Sequence, residues 1–268
     1  MKITSTKYHD EKSKTYDQSY HEPFWRFYND ITWSYIEKYL PKDIDHSLIL
    51  DAGGGTGLWS IKIAKRGYHV ILSDLSSGML KIAEEKIKEQ NLNEKIKIVR
   101  CDITNMNKFK DNTFNLTLAE GDPVSYCSNP DQAISELSRV TKKRGYITVS
   151  VDNKLVWLKR SIEKGDYKEA ERIMKTGIAK MPTEDGNYYP AFTFTIEELS
   201  EIFEKNNMDI IEKIGKPVFT SFQDVDNEEK YQKHLEIELK YSKHNSFVGF
   251  GGHIAIVGRK YYNRFSGS

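Results

Sequence analysis

The sequence has few of the features that mark secreted, disulfide-bonded or zinc-binding proteins. Its 268 residues include only two cysteines, Cys101 and Cys127, and no Cys-x-x-Cys pair. Disulfides form in oxidising compartments, so this low cysteine content predicts a reduced protein of the cytoplasm. No group of His, Cys, Asp or Glu has the spacing of zinc ligands, and no metal site is predicted.

Long apolar runs and a dominant charge are also missing. No apolar run approaches the roughly 18 residues of a membrane-spanning helix, and the N-terminal residues lack the apolar core of a signal peptide. No membrane association is therefore predicted. The 40 basic and 39 acidic residues leave a net charge of +1, which gives no general attraction for nucleic acid. The short basic runs at 142–144 and 159–160 are interpreted as solvated surface.

The most informative stretch of the chain runs from Leu48 to Met79. An apolar run over 48–50 predicts a strand that is buried on both faces, and four glycines follow within residues 53–57. A helical pattern then ends at Gly67, and a second apolar run ends at Asp74. This order of strand, glycine turn, helix and strand is typical of the nucleotide-binding half of a doubly wound sheet.

The glycine pattern distinguishes between two kinds of nucleotide-containing cofactor. The dinucleotide fingerprint requires a third glycine where this chain has Leu58, so NAD or FAD fits poorly. The chain instead has an acid, Asp51, followed by alternate glycines at 53, 55 and 57. Asp74 lies about 20 residues beyond the first glycine, where a carboxylate accepts hydrogen bonds from ribose hydroxyls. A glycine turn without a ligand is the remaining alternative.

The rest of the chain alternates strands and helices as far as residue 151, which predicts a parallel sheet with helices on both faces. Beyond residue 152 the alternation stops. The segments predicted there are a helical stretch over 155–174, a loop over 182–190, a capped helix from Thr195 to Lys205, a sixth strand over 208–214, a helical insertion over 216–245 and a last strand over 253–259. The final residues, 263–268, are interpreted as a non-native tail.

Near the N-terminus, the spacing of apolar residues predicts a helix from Phe24 to Leu40, between Pro23 and Pro41. The helix is aromatic over more than one stripe, so it is expected to contact more than one surface. One interpretation is ordinary core packing. The other is a lid over a cofactor, with aromatic side chains facing a substrate.

In this context, the run Asp51-x-Gly53-x-Gly55-x-Gly57 resembles the class I S-adenosylmethionine (SAM)-dependent methyltransferases. The resemblance implies an α/β fold with a doubly wound, seven-stranded, mostly parallel sheet of the Rossmann-like methyltransferase type, with one antiparallel strand at the edge. It also implies SAM as cofactor and S-adenosylhomocysteine as product. We expect a single domain over 1–268, with an N-terminal helical lid at 1–41 and helical insertions at 153–194 and 216–245 that form a cap.

The resemblance also implies which residues bind the cofactor. Family members hold the methionine part of SAM with the glycine loop, the ribose with the acid after the second strand, and the adenine with residues after the second and third strands. The start of the loop after the fourth strand lies under the sulfonium, and an N-terminal tyrosine often closes over the methionine end. In this chain these positions are Tyr16, Asp51, Gly53, Gly55, Asp74, Leu75, Asp102, Ile103, Glu120 and Gly121.

A closer resemblance is partial. The segments 50–55, 66–71, 73–76 and 214–219 are similar to bacterial methyltransferases that esterify the carboxylate of 5-carboxymethoxyuridine in tRNA. The loop after the fourth strand, 121–126, departs from the pattern of those enzymes, in which it contacts the acceptor. The resemblance therefore supports the core of the fold and leaves the substrate open.

The chemistry of the acceptor decides whether a base is needed. A carboxylate accepts the SAM methyl group without one, whereas a hydroxyl, phenol or amine must lose a proton. Candidate catalytic residues are Asp122, Tyr126 and His253, although Asp122 could instead cap a turn and His253 could be a satisfied edge-strand residue.

The expected reaction is methyl transfer to an O or N atom of a small molecule. The aromatic N-terminal segment and the two insertions favour an enclosed pocket, and such pockets are mainly apolar and aromatic. The alternatives are a tRNA wobble-uridine carboxylate and a non-catalytic SAM-binding or scaffold protein.

Overall fold

The computed structural model describes residues 1–220 and 227–261, without the side chain of His21. The tail at 263–268 and part of the second insertion lie outside the described residues. The described strands are β1 Leu48–Ala52, β2 His69–Asp74, β3 Ile96–Arg100, β4 Phe114–Ala119, β5 Thr141–Asn153, β6 Ile178–Pro182, β7 Tyr188–Phe194, β8 Met208–Lys216 and β9 His253–Lys260.

Helices cover both faces of the sheet that these strands form. The described helices are α1 Ser5–Lys12, α2 Pro23–Tyr39, α3 Leu58–Ala64, α4 Ser77–Glu89, α5 Pro123–Tyr126, α6 Pro130–Val140, α7 Lys154–Glu163, α8 Tyr167–Thr176, α9 Ile196–Lys205, α10 Glu228–Tyr241 and α11 Asn245–Val248, with a 3₁₀ helix at Tyr16–His21. None of the helices in this part of the chain has the length and apolarity to cross a lipid bilayer.

Seven of the strands lie side by side in the order β3-β2-β1-β4-β5-β9-β8. Neighbours from β3 to β5 run parallel, which confirms the predicted doubly wound α/β fold. The expectation that the antiparallel strand lies at the edge is wrong, because β9 pairs with both β5 and β8. His253, at the start of β9, is therefore an interior-strand residue.

The apolar core forms two layers, one on each face of the sheet. Ile49 packs into the layer that contains α2, α3 and α4, and its neighbour Leu50 packs into the layer that contains α6 and α9. Successive side chains of a strand point to opposite faces, so an uninterrupted apolar run suits a strand covered on both sides. The capped helix predicted from Thr195 is present as α9, where Thr195 and Glu198 form a capping box.

The first insertion differs from its prediction. The stretch 155–174 is not one helix but two, α7 and α8, with Gly165 between them at a φ of 71°. The segment 182–190 is not a loop, because β6 and β7 form an antiparallel hairpin around Gly186. Alternate residues of β7 are buried in the manner of a strand with one covered face. The strand also pairs in parallel with the end of β5, so the sheet in the described residues has nine strands and not the predicted seven.

The N-terminal segment is fixed to the rest of the fold at two points. Asp10 on α1 accepts hydrogen bonds at the start of α4, from Ser76 Oγ at 2.6 Å and from the Gly78 amide at 2.8 Å. Lys2 pairs with Tyr188 of β7 through a parallel bridge. These contacts hold α1 over the carboxyl ends of the parallel strands.

Candidate active site

Two adjoining cavities lie above the carboxyl ends of the parallel strands, where doubly wound folds bind their ligands. The first has a volume of about 420 Å³ and is bounded by the glycine loop, the ends of β2 and β3, and residues 2–6; we call it the glycine-loop cavity. The second, of about 380 Å³, is rich in aromatic side chains, and we call it the aromatic cavity. The residues that line both are His9, Tyr16, Gly53, Gly55, Gly121 and Tyr126.

Most of the residues predicted to bind the cofactor line the glycine-loop cavity. They are Tyr16, Gly53, Gly55, Asp74, Leu75, Asp102, Ile103 and Gly121. The two others are placed differently: Asp51 lies beneath the glycine loop, and Glu120 lines the aromatic cavity.

Asp74 is oriented by backbone groups on both sides of its carboxylate. Oδ2 accepts a hydrogen bond from the Gly55 amide at 2.9 Å, and Oδ1 accepts one from the Ser76 amide at 2.8 Å. Burial raises the pKa of this carboxyl, and the backbone donors only partly offset the effect. Each oxygen still has acceptor capacity. A rigid carboxylate of this kind can accept hydrogen bonds from the two hydroxyls of a ribose.

The glycine loop leaves open space where a cofactor would lie. An added Cβ at Gly55 or at Gly121 would meet no atom within 4 Å, although both positions line the glycine-loop cavity. A Cβ at Gly53 would instead lie 2.4 Å from Pro123 Cβ. Gly55 and Gly121 therefore let a ligand approach the backbone, whereas Gly53 allows the loop to pack against α5.

Asp51 supports the loop from below. Its Oδ2 accepts hydrogen bonds from the amide of Ser60 at 3.0 Å and from Ser60 Oγ at 2.7 Å, while the buried Oδ1 has no hydrogen-bond partner in the part of the chain that the structure describes. Burial raises the pKa of this carboxyl to about 6. Gly54 lies directly on the carboxylate, since an added Cβ there would be 2.8 Å from Asp51 Cγ. Asp51 therefore positions the loop and has an oxygen left for a donor.

These residues fit SAM by the chemistry of their donor and acceptor groups. Asp74 suits the ribose, and the apolar side chains of Met79, Leu75 and Ile103 suit the adenine ring in the same cavity. Asp102 lies beside them with Oδ1 bound to Thr104, from whose amide and hydroxyl it accepts hydrogen bonds at 2.8 Å. In the described residues no group of three or more His, Cys, Asp or Glu is placed to hold a metal ion.

The aromatic cavity is walled by rings from the N-terminal segment, α2, α3, α5, α7 and β7. Those rings belong to Tyr8, Tyr16, Tyr20, Phe24, Trp25, Tyr28, Trp59, Tyr126, Trp157 and Tyr189. The expectation of α2 as a helix with several contact surfaces agrees with this, because Phe24, Trp25 and Tyr28 face the cavity while Phe27 packs on Tyr231 of α10.

The floor of the aromatic cavity contains a fully buried ion pair. Glu120 Oε2 lies 2.8 Å from Lys216 Nζ and accepts a hydrogen bond from Tyr35 at 2.7 Å. Lys216 also donates to Thr32 at 2.9 Å, and its burial lowers its pKa. Lys216 was not predicted as a site residue; the only signal was its place at the end of a strand within the segment 214–219.

The predicted catalytic residues Asp122 and His253 lie together. His253 Nδ1 is 2.8 Å from Asp122 Oδ2. Burial disfavours the imidazolium, but the Asp122 carboxylate outweighs it and raises the pKa of His253. The reverse holds for Asp122, whose pKa is lowered by the His253 ring despite burial. Ser150 fixes the loop beside them, since its Oγ accepts from the amides of Gly121 at 3.1 Å and Asp122 at 3.2 Å.

Tyr126, the third candidate, stands between the two cavities. Its ring lies 5.8 Å from the ring of His9 and 5.6 Å from that of Tyr189. Burial, followed by the charge of Asp152, raises its pKa well above the ordinary value. The phenol is therefore protonated near neutral pH and can donate a hydrogen bond but cannot act as a base.

Asp152, at the end of β5, is a site residue that the sequence interpretation missed. It is 3% exposed and lines the aromatic cavity. Its Oδ1 accepts a hydrogen bond from Trp157 Nε1 at 3.2 Å and lies 4.0 Å from His253 Nδ1. Burial raises its pKa to about 6, with the nearby His253, Trp157 and Tyr126 offsetting part of the rise. A carboxylate at the carboxyl end of a central strand was the available signal.

His9 on α1 was also missed. Its Nδ1 lies 2.8 Å from the carbonyl oxygen of Ser5, which can only accept, so Nδ1 carries the proton and Nε2 keeps its lone pair. Burial lowers its pKa, and the ring is neutral near pH 7. It lines both cavities, but no sequence pattern distinguishes it from the other polar residues of the N-terminus.

Comparison with known proteins agrees with this site. A family model described as a methyltransferase domain matches residues 49–145. A tRNA 5-carboxymethoxyuridine methyltransferase of Escherichia coli is 23% identical over 233 residues, which cover 86% of this chain and 87% of the relative. A demethylmenaquinone methyltransferase of Bacteroides fragilis is 28% identical over 170 residues, 62% of this chain and 66% of the relative.

The fold is also similar to that of known methyltransferases. A SAM-dependent methyltransferase structure from Methanosarcina mazei superposes with a TM-score of 0.62 at 19% identity, covering 85% of this chain and 98% of that one. The resemblance predicted from the glycine loop is thus confirmed for the matched domain, and SAM is the cofactor that this domain and fold imply.

Proposed function

We propose that this chain, a methyltransferase of the SAM-dependent type by its matched domain and its fold, methylates an O or N atom of a small organic molecule bound in the aromatic cavity. The observation that carries the proposal is the junction of the two cavities at Gly53, Gly55 and Gly121. Since these residues have no side chains, a molecule in one cavity can reach a molecule in the other.

The size and lining of the aromatic cavity support a small acceptor. Pockets for organic ligands measure about 300–1,000 Å³ and are lined mainly by apolar and aromatic groups with a few polar ones. The aromatic cavity, at about 380 Å³, lies within that range. Its buried polar side chains include Asp122, Asp152 and His253. Such a lining can orient an acceptor atom and exclude water from it.

The residues of this chain have to orient the acceptor and hold its proton. SAM, when bound, supplies a methyl group already activated by the positive sulfur. Asp122 and His253 form a charge pair, so neither offers a free base, and the Tyr126 phenol stays protonated. We assign these three predicted catalytic residues to positioning. Two groups that line the aromatic cavity can accept a proton: Asp152, whose Oδ2 has no hydrogen-bond partner of good geometry among the described residues, and His9, whose Nε2 keeps its lone pair.

The proposal is tested by supplying tritiated SAM together with two acceptor pools in parallel, a metabolite extract and bulk tRNA. The expected result is label in a low-molecular-weight product from the extract and none in tRNA. A Gly55→Val variant serves as the inactive control. Label confined to tRNA would contradict the proposal.

A tRNA wobble-uridine carboxylate is the second candidate, favoured by the relative from Escherichia coli, which matches this chain over 86% of its length. Two features weigh against it. The loop 121–126, which lines the aromatic cavity, departs from the pattern of those enzymes. The carboxylate of Asp152 in the same cavity would repel a carboxylate substrate.

A non-catalytic SAM-binding or scaffold protein is the third candidate. The open space at Gly55 and Gly121 favours a chain that binds a cofactor, and the aromatic cavity beside it provides room for an acceptor. Titration with SAM and S-adenosylhomocysteine, followed by the transfer assay, separates the candidates: a scaffold that has lost the cofactor binds neither compound, and one that only binds SAM transfers no label.

A further inference from the structure

We propose that the acceptor is an organic amine, which enters the aromatic cavity as an ammonium ion and is held by the carboxylate of Asp152. This inference rests on the proposed small-molecule function and names its substrate class. It follows from the charged groups that line the cavity: the other buried carboxylates have a close counter-ion, and Asp152 does not.

Asp152 has one oxygen engaged and one oxygen free. Oδ1 accepts the indole hydrogen of Trp157 at 3.2 Å. Oδ2 is buried, and no described residue makes a hydrogen bond of good geometry to it, although the nearby Tyr126 hydroxyl lowers the pKa of Asp152. A buried carboxylate oxygen without a donor is costly for the folded protein. A ligand that donates a hydrogen bond to Oδ2 removes that cost, and an ammonium group is the donor with the strongest charge complement.

The other charged groups inside the cavity are already paired. Glu120 is neutralised by Lys216 at 2.8 Å, and Asp122 is neutralised by His253 at 2.8 Å. His253 also lies 4.0 Å from Asp152, but its close partner is Asp122. Asp152 is therefore the carboxylate whose charge a ligand is left to balance.

The remaining titratable groups that line the cavity do not alter this balance. His9 is half-buried, and desolvation lowers its pKa, so it is neutral. Glu22 and Arg160 are exposed and of opposite sign. The guanidinium of Arg160 lies 5.7 Å from the ring centre of Trp157. A cation that enters the cavity therefore meets net negative charge only at Asp152.

The aromatic walls favour the same ligand. Trp25, Tyr126, Trp157 and Tyr189 line the cavity that contains Asp152. Aromatic rings attract a cation placed over their faces, and more strongly when water is excluded. They offer no such attraction to a carboxylate, which Asp152 also repels. A neutral alcohol would gain only an ordinary hydrogen bond.

The proposed reaction balances in atoms and charge. The ammonium nitrogen first loses one proton to Asp152 Oδ2, which leaves a neutral amine with a lone pair. That lone pair forms a bond to the methyl carbon as the bond from carbon to sulfur breaks, and the bonding electrons remain on sulfur. The products are a methylated ammonium ion and S-adenosylhomocysteine, and the proton on Asp152 passes to solvent.

Calorimetric titration with three probes of matched size tests the inference. The protein, saturated with S-adenosylhomocysteine at pH 7.5, is titrated with 2-phenylethylamine, 2-phenylethanol and phenylacetate. We expect the amine to bind at least tenfold more tightly than the alcohol or the acid. Asp152→Asn should remove that advantage, while affinity for S-adenosylhomocysteine and the circular-dichroism spectrum stay unchanged. Asp131→Asn, at an exposed site on α6, is the matched control, and this variant should keep the preference for the amine.

The possible outcomes separate this inference from the function on which it rests. Equal or tighter binding of the alcohol or the acid by the wild-type protein would overturn the amine assignment and leave a small-molecule acceptor standing. Undiminished amine affinity in Asp152→Asn would overturn the role of Asp152. Failure of all three probes to bind would contradict the aromatic cavity as a site for small organic molecules, and both proposals with it.

Discussion

Glu120 and Lys216, which are 96 residues apart in the chain, form an ion pair 2.8 Å long whose side chains are both 0% exposed. The pair lies beneath the junction of the two cavities and connects β4 to the end of β8. Lys216 also donates to Thr32 and Tyr35, so α2 is attached to the same cluster. One buried ammonium group thereby connects α2 with two strands of the sheet.

Removal of the ammonium group alone should destabilise the protein strongly. Lys216→Met leaves the Glu120 carboxylate buried without its counter-ion, and breaking a buried pair in this way costs about 3–5 kcal/mol. Urea denaturation of the variant measures the change in unfolding free energy. The double variant Glu120→Gln with Lys216→Met should recover much of the loss. A loss below about 1 kcal/mol for Lys216→Met, the size of a surface pair, would contradict the structural role.

The second prediction concerns Asp74. Asp74→Ala removes a carboxylate placed to accept two ribose hydroxyls, and hydrogen bonds to charged groups contribute about 1.5–3 kcal/mol each. The variant should bind SAM at least tenfold more weakly in calorimetric titration. Its circular-dichroism spectrum should match the wild type. Unchanged affinity would remove Asp74 from the cofactor site.

The third prediction uses two glycines with similar backbones. Gly55 and Gly186 have φ values of 53° and 77°, and neither has an atom within 4 Å of an added Cβ. Only Gly55 lines the glycine-loop cavity. Gly55→Val should abolish SAM binding, whereas Gly186→Val in the hairpin turn should carry similar backbone strain and still bind. Loss of binding in both variants would show that strain, and not the occupied cavity, is responsible.

The fourth prediction is a dependence of stability on pH at the pair of Asp122 and His253. The pKa of His253 is raised in the folded protein, so its stabilising contribution is fully present below the unfolded value of about 6.5 and is lost as pH rises through the higher folded value. The cost of His253→Gln should therefore be larger at pH 6 than at pH 9. Equal costs in urea denaturation at the two pH values would contradict the charge pair.

The parts of the site that the sequence predicted are local in the chain. The glycine loop, Asp74 and Asp102 each lie at the end of a strand or within two residues of it, so strand periodicity and the position of an acid sufficed to place them. The hairpin of β6 and β7 was missed although Asp185-Gly186 is a strong hairpin signal. The tyrosines and the glycine near this turn were interpreted as a loop. Alternate residues of β7 are buried by elements that are distant in the sequence.

The residues that the sequence did not predict depend on tertiary contacts. Lys216 meets its carboxylate across 96 residues, and the oxygen left unpaired on Asp152 is known only once every neighbour is placed. His9 is drawn to the junction of the cavities by the attachment of α1 at Asp10. The only local signals at these positions were the strand ends at which Asp152 and Lys216 lie, and neither identifies the partner of the side chain.

The salt dependence of methyl transfer tests the central claim most directly. The rate of label transfer from tritiated SAM is measured between about 50 and 200 mM salt. The acceptor is whichever pool, metabolite extract or bulk tRNA, is labelled in the first assay. For a small molecule bound in the aromatic cavity, the rate should change by less than about twofold, because no array of phosphates has to be neutralised. Transfer to tRNA with a rate that falls by orders of magnitude over this range would contradict the account.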